Sequence, residues 1–118
     1  MLLGIKRIYD KVEIIDGMRV LVDGLWPRGV RRSTAHIDRW VKEVAPSAGL
    51  RQWYSHDPSR WEKFCEKYLA ELAKNAAVDD LVELARKNDV TFIYSTRDAE
   101  HNNAVVLAGY VRKKLKEA

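Results

Sequence analysis

Cysteine is almost missing from this 118-residue chain: Cys65 stands alone, so no intrachain disulfide framework can form. A reducing, cytoplasmic setting is the expectation that follows. No apolar run approaches the ~18 residues that cross a bilayer, so no membrane partner is expected. The opening MLLGIKRIYD lacks the basic head, long apolar stretch and small-residue cleavage site of a secretory signal. GxxxxGK[ST], GxGxxG and GxSxG are absent, which removes the common triphosphate, dinucleotide and serine-hydrolase signatures. HExxH, paired CxxC and EF-hand spacings are absent too. The conceivable metal set, His56, Asp57, Asp98 and His101, has no recognised ligand spacing. Neither a metal nor a cofactor is expected.

What is present is ordinary for a globular chain: 47% apolar and 32% charged residues, with a net charge of +4 that favours anionic partners only mildly. Repeats, linkers and low-complexity tracts are not seen, and the length suits one core, so residues 1–118 read as a single domain. The expected fold is a layered α/β domain, a small mixed or mostly parallel sheet flanked by four to five helices.

The chain is organised around VLVDGLWPRG, residues 20–29. Val20, Leu21 and Val22 read as a buried central strand that runs straight into Asp23, Trp26, Pro27 and Arg28. Gly4–Tyr9 reads as a first strand of undetermined direction. Asp16-Gly17 marks a turn, with a hairpin between Val12–Ile15 and Arg19–Val22 as the alternative. Ile37, Trp40, Val41 and Val44 have helical spacing that Pro46 stops. Ser47 caps another turn bearing Leu50 and Trp53. Asp57-Pro58 opens the most regular helix, with Trp61, Phe64, Cys65, Tyr68, Leu69 and Leu72 on one stripe, where the thiol behaves as a small hydrophobe. A further helix follows Asn75, Val90–Ser95 is a second strand, and Asp98 reads as the cap of a last helix.

Parallel pairing of the two confident strands would put WPRG and Thr96–Asn102 on the same edge of the sheet, where open α/β sheets bind ligands. Arg28 and Arg97 would then converge on one anion, helped by the N–H groups that open the last helix. Asp23 or Asp98 is the candidate base and His101 the candidate proton donor, while Trp26, His56 and Asn102 complete the ligand wall.

The segments RIYD, DGMRVLVDGLWPRGV, WVKEVAPS, HDPSRW and RDAEHNNAVVLAGY, in that order, resemble the domain of unknown function 488 family, in its short YeaO-like branch. The resemblance covers nearly the whole chain. It implies a small cytoplasmic α/β protein and implies no reaction. The family pattern falls on Asp23, Leu25, Trp26, Pro27, Arg28, Gly29, His56, Asp57, Pro58, Trp61, Asp98, His101 and Asn102. Gly24 stands where relatives typically carry arginine, Asn103 where a second histidine often follows, and Lys11 where proline is usual.

Binding or transformation of a small anion is therefore the leading functional expectation. One alternative is a nucleic-acid-binding module, suggested by the positive charge and the four tryptophans but opposed by the even mixing of acids and bases. The other is protein interaction, including homo-oligomerisation, through an exposed Trp26 or Trp53.

Overall fold

Burial dictates the order of the strands. In the computed structural model, which describes residues 1–117, β1 (Leu3–Arg7), β2 (Met18–Leu21), β3 (Arg39–Trp40) and β4 (Val90–Tyr94) form one sheet in the order β1-β4-β2-β3, with every pairing parallel. β4 is buried along its whole length and takes the interior position, as a run of β-branched and aromatic residues requires. Its Phe92 lies between Ile5 of β1 and Val20 of β2. The first strand thus runs parallel to its neighbour, and the hairpin alternative is not realised because Ile14–Asp16 coils as a 3-10 turn while β2 pairs with β4 and β3. Gly17 makes the sharp entry to β2. Its φ is +63°, and a Cβ there would lie 2.4 Å from the Asp89 carbonyl oxygen.

The two faces of the sheet are covered differently. Leu3, Ile5, Val20, Val22, Val90, Phe92 and Tyr94 face all four helices: α1 (Ala48–Tyr54), α2 (Trp61–Leu72), α3 (Ala76–Lys87) and α4 (Asn103–Lys116). Ile8, Leu21 and Ile93 point the other way and meet Trp26, Val30 and Ile37 from the long loop between β2 and β3, together with Trp40 of β3. No helix covers this second face among the described residues.

That difference corrects one expected helix. Ile37, Trp40, Val41 and Val44 do have helical spacing, yet Arg39–Trp40 pairs with Val20–Leu21 as β3, and only Lys42–Val44 coils, as a 3-10 turn. Ile37 and Trp40 pack on the loop-covered face, Val41 and Val44 on the helical one. The chain crosses from one face to the other at the sheet edge, so the four apolar residues serve two clusters rather than one stripe. Elsewhere Ser47 caps α1 as expected, and Asp57 caps the 3-10 turn Pro58–Arg60 that leads into α2. Cys65 is a free thiol packed against the core, and burial pushes it up from its ordinary pKa.

α2 is tied to the 3-10 turn Lys42–Val44 through the Tyr68 hydroxyl, which donates to the buried Val44 carbonyl at 2.5 Å. Burial pushes this phenol up, so it remains a donor at any ordinary pH. Tyr68→Phe leaves the carbonyl without its partner and is expected to cost about 1 kcal/mol, read as a lowered urea midpoint at unchanged slope.

Candidate functional site

Because β2 and β4 run parallel, the chain leaves both at one edge, and the two turns foreseen as a site do meet there. Asp23, just beyond β2, joins them. Its Oδ2 accepts the Ser95 N–H at 3.0 Å and the Ser95 hydroxyl at 2.8 Å, while Oδ1 accepts from Asn103 Nδ2 at 3.2 Å. The same amide also donates to the Val22 carbonyl. Burial raises the pKa of Asp23 in spite of these bonds and of the nearby Arg51 charge. One carboxylate thereby pins the end of β4 and the first residue of α4 to the end of β2.

The WPRG turn is stiff. Trp26 Nε1 donates to the Val30 carbonyl at 2.7 Å, and Trp40 Nε1 donates to the Asp23 carbonyl at 2.8 Å. The two indoles meet edge to face at 5.6 Å, and the Arg32 guanidinium lies over both rings. Neither Trp26 nor Trp53 is an exposed anchor; both are half-buried.

Opposite the turn stands an aromatic wall. Phe64 packs 4.7 Å from Tyr54 and 5.4 Å from Trp61, and Trp61 meets the His101 ring edge to face at 5.1 Å. His101 is oriented by Asp98, whose Oδ2 lies 3.0 Å from Nδ1, leaving Nε2 free of that contact. Asp98 is not the cap of the last helix. Its Oδ1 accepts the N–H groups of Glu100 and His101, closing the preceding turn, and those bonds hold its carboxyl below the usual range. The cap is Asn102, whose side chain accepts the Val105 N–H and donates to the Asp98 carbonyl. An acid in the RDAEHNN turn reads as a helix cap by propensity, but the asparagine four residues on takes that place.

Between turn and wall lies a hollow of about 420 Å³, a size suited to a small molecule. Asp23, Trp26, Arg28, His56, His101 and Asn102 line it, as the sequence foresees. Arg97 does not. It lines a shallower neighbouring hollow with Arg7 and Tyr9, so the two arginines expected on one anion belong to adjacent depressions. His56 lines both, from a left-handed backbone (φ 54°) that follows Ser55 in the same region (φ 46°). Two successive non-glycine residues in that conformation are a costly feature, of the kind seen at ligand sites.

Sequence reasoning missed Arg51, Tyr54, Ser95 and Asn103, all of which line the hollow. Arg51 and Tyr54 share one face of α1 at a spacing of three residues. The remaining signal for Arg51 is the glycine at 24. A Cβ on Gly24 would lie 2.5 Å from Arg51 Nη1, so this guanidinium lies directly against the bare backbone at the strand exit. The departure at Gly24 thus stands beside a cation from elsewhere in the chain. Asn103, the other departure, serves Asp23 instead of completing a histidine pair. Among the described residues no group of three His, Cys, Asp or Glu is gathered to hold a metal ion.

Fold and site together define a small α/β protein with a ligand-sized, arginine-bearing hollow at the C-terminal edge of a parallel sheet. No helix is long and apolar enough to cross a membrane among the described residues. The chain belongs to the domain of unknown function 488 family, in its YeaO-like branch: the model described as the inactive DUF488-N3 subclade matches residues 2–118. It is 41% identical to the uncharacterised protein YeaO of Escherichia coli (strain K12) over 108 residues, 91% of this chain and 94% of that one. An uncharacterised protein of Mycobacterium tuberculosis (strain ATCC 25618 / H37Rv) is 40% identical over 104 residues, 88% of each chain. No solved structure matches the chain.

Proposed function

We propose that this protein binds a small organic anion with an aromatic or apolar body in the 420 Å³ hollow, without turning it over. The observation that carries this reading is the pairing of Arg28 and Arg51 with the Trp26, Tyr54, Trp61 and Phe64 surfaces in one concavity. Guanidinium groups supply planar donors for a carboxylate or phosphate, and the aromatic surfaces take up the body of the ligand. Binding is favoured over catalysis because Asp23, the candidate base, already spends both oxygens on Ser95 and Asn103. The word inactive in the description of the matching family model supports the same preference. Proton transfer by His101 is the second reading, favoured by its bond to Asp98. A cytoplasmic location fits the free Cys65 thiol.

Calorimetric titration at low salt tests the proposal, with N-acetyltyrosine, benzoate, inorganic phosphate and sulfate as probes. Aromatic carboxylates are expected to bind more tightly than the inorganic anions. Arg28→Ala and Arg51→Ala are each expected to weaken N-acetyltyrosine by roughly tenfold, the worth of one charge-assisted contact. Unchanged affinity in both variants would remove the pocket from consideration. A stronger, salt-dependent affinity for a short single-stranded oligonucleotide would turn the reading to nucleic acid instead.

A further inference from the structure

We infer that the two adjacent hollows are one bipartite site, and that its ligand is an aromatic molecule with an anion at each end, the outer one a phosphate. The inference rests on the proposed anion-binding role of the inner hollow and extends it outward. His56, Ser95 and Thr96 line both depressions, so they share a rim rather than being separate dents. Each has its own arginine pair: Arg28 and Arg51 in the inner one, Arg7 and Arg97 in the outer.

None of these four guanidinium groups forms an ion pair among the described residues, although other bases of the chain do. Nearby acids already hold hydrogen bonds of their own. Asp23 is bonded to Ser95 and Asn103, Asp98 to His101, and Asp10 accepts the Arg7 backbone N–H at 3.1 Å. Arg7 is also positioned in advance. Its Nε donates to the Ser95 and Thr96 carbonyls at 3.2 and 2.9 Å, and its guanidinium lies 4.5 Å from the centre of the Tyr9 ring. Its terminal nitrogens are left for a ligand.

The linings differ in kind. The inner hollow is walled by aromatic rings, which take a flat apolar body. The outer one has Arg7, Arg97, Thr96 and Tyr9 and lacks such a wall, a donor-rich setting that suits the several oxygens of a phosphate. An aromatic carboxylate seated inside, with a phosphate over the shared rim, satisfies both. His56 stands at the crossing.

The test titrates the full chain with N-acetyltyrosine, which has one anionic end, and with N-acetyl-O-phosphotyrosine, which has two. The phosphorylated probe is expected to bind about tenfold more tightly, and Arg97→Ala to reduce that advantage to below about threefold while N-acetyltyrosine binds as before. Arg51→Ala is expected to weaken both probes. Equal affinity of the two probes, or an Arg97→Ala loss of the same size for each, overturns the bipartite site and leaves the inner hollow standing. Failure of both probes to bind overturns the inner hollow and the extension with it.

Discussion

Asp16→Ala is expected to destabilise the protein by about 3–5 kcal/mol, the scale for removing one partner of a buried ion pair. Asp16 and Arg19 are 5% and 3% exposed and meet at 2.7 Å on the face of the sheet that no helix covers. Lys6 reaches the same carboxylate at 2.9 Å, and Glu13 donates its backbone N–H to it. Arg19 Nη2 already lacks a hydrogen-bond partner among the described residues, so losing Asp16 would strand a charge that is imperfectly satisfied to begin with. Adding Arg19→Met to Asp16→Ala should therefore recover part of the loss, which a structural role for the Asp16 backbone alone would not permit.

The same carboxylate makes an acid limb. Burial alone would raise its pKa, but the bonds from Lys6, Glu13 and Arg19 together outweigh burial and lower it. A depressed folded pKa means the stabilisation is complete above the ordinary carboxylate value of about 4 and is lost as pH falls through the folded one. Urea unfolding at a series of pH values should show that part of the acid slope disappear in Asp16→Asn.

Asp23→Ala is expected to cost roughly 2–4 kcal/mol and to abolish binding in the inner hollow. It strands the Ser95 N–H and hydroxyl and frees Asn103 from the strand exit, at about 1–3 kcal/mol for each buried donor left unpaired. The site suffers because Ser95 and Asn103 line the hollow that Asp23 closes. The pH response runs opposite to that of Asp16. Burial raises the folded pKa of Asp23, so its protonated form favours folding at low pH, and that contribution is lost as pH rises through the raised value. The stability advantage of the wild type over Asp23→Asn should accordingly narrow as pH rises above the ordinary carboxylate value of about 4, measured by urea midpoint. A constant difference would mean that Asp23 is not strained by burial.

Much of the architecture is legible in the chain. The run Val20–Val22 and the stretch VTFIY specify buried strands because they are made of β-branched, aliphatic and aromatic residues with no charge among them. The stripe from Trp61 to Leu72 specifies a helix because its apolar residues recur on one side. Ser47 and Asp57 act as caps in the places their chemistry suggests, and the break foreseen at Asn75 is the start of α3, which Asn75 caps. The meeting of WPRG with the RDAEHN turn follows from parallel pairing alone, and it carries Asp23, Trp26, Arg28, His101 and Asn102 into one hollow, which His56 joins from the loop after α1.

What periodicity does not contain is which face of the sheet a residue serves. Ile37, Trp40, Val41 and Val44 have the spacing of a helix, and only the crossing of the sheet edge separates them into two clusters. Spacing is likewise silent about where a long side chain ends. Arg97 lies on the expected turn yet points its charge to the outer hollow, while Arg51, from a helix that nothing marked as functional, takes the space left open at Gly24. Sequence alone determined three of the four strands, most of the helices and the edge at which the two turns meet, since these depend on local patterns of burial. The partition of charge between two hollows was decided by tertiary structure, because it depends on distances between side chains far apart in the chain.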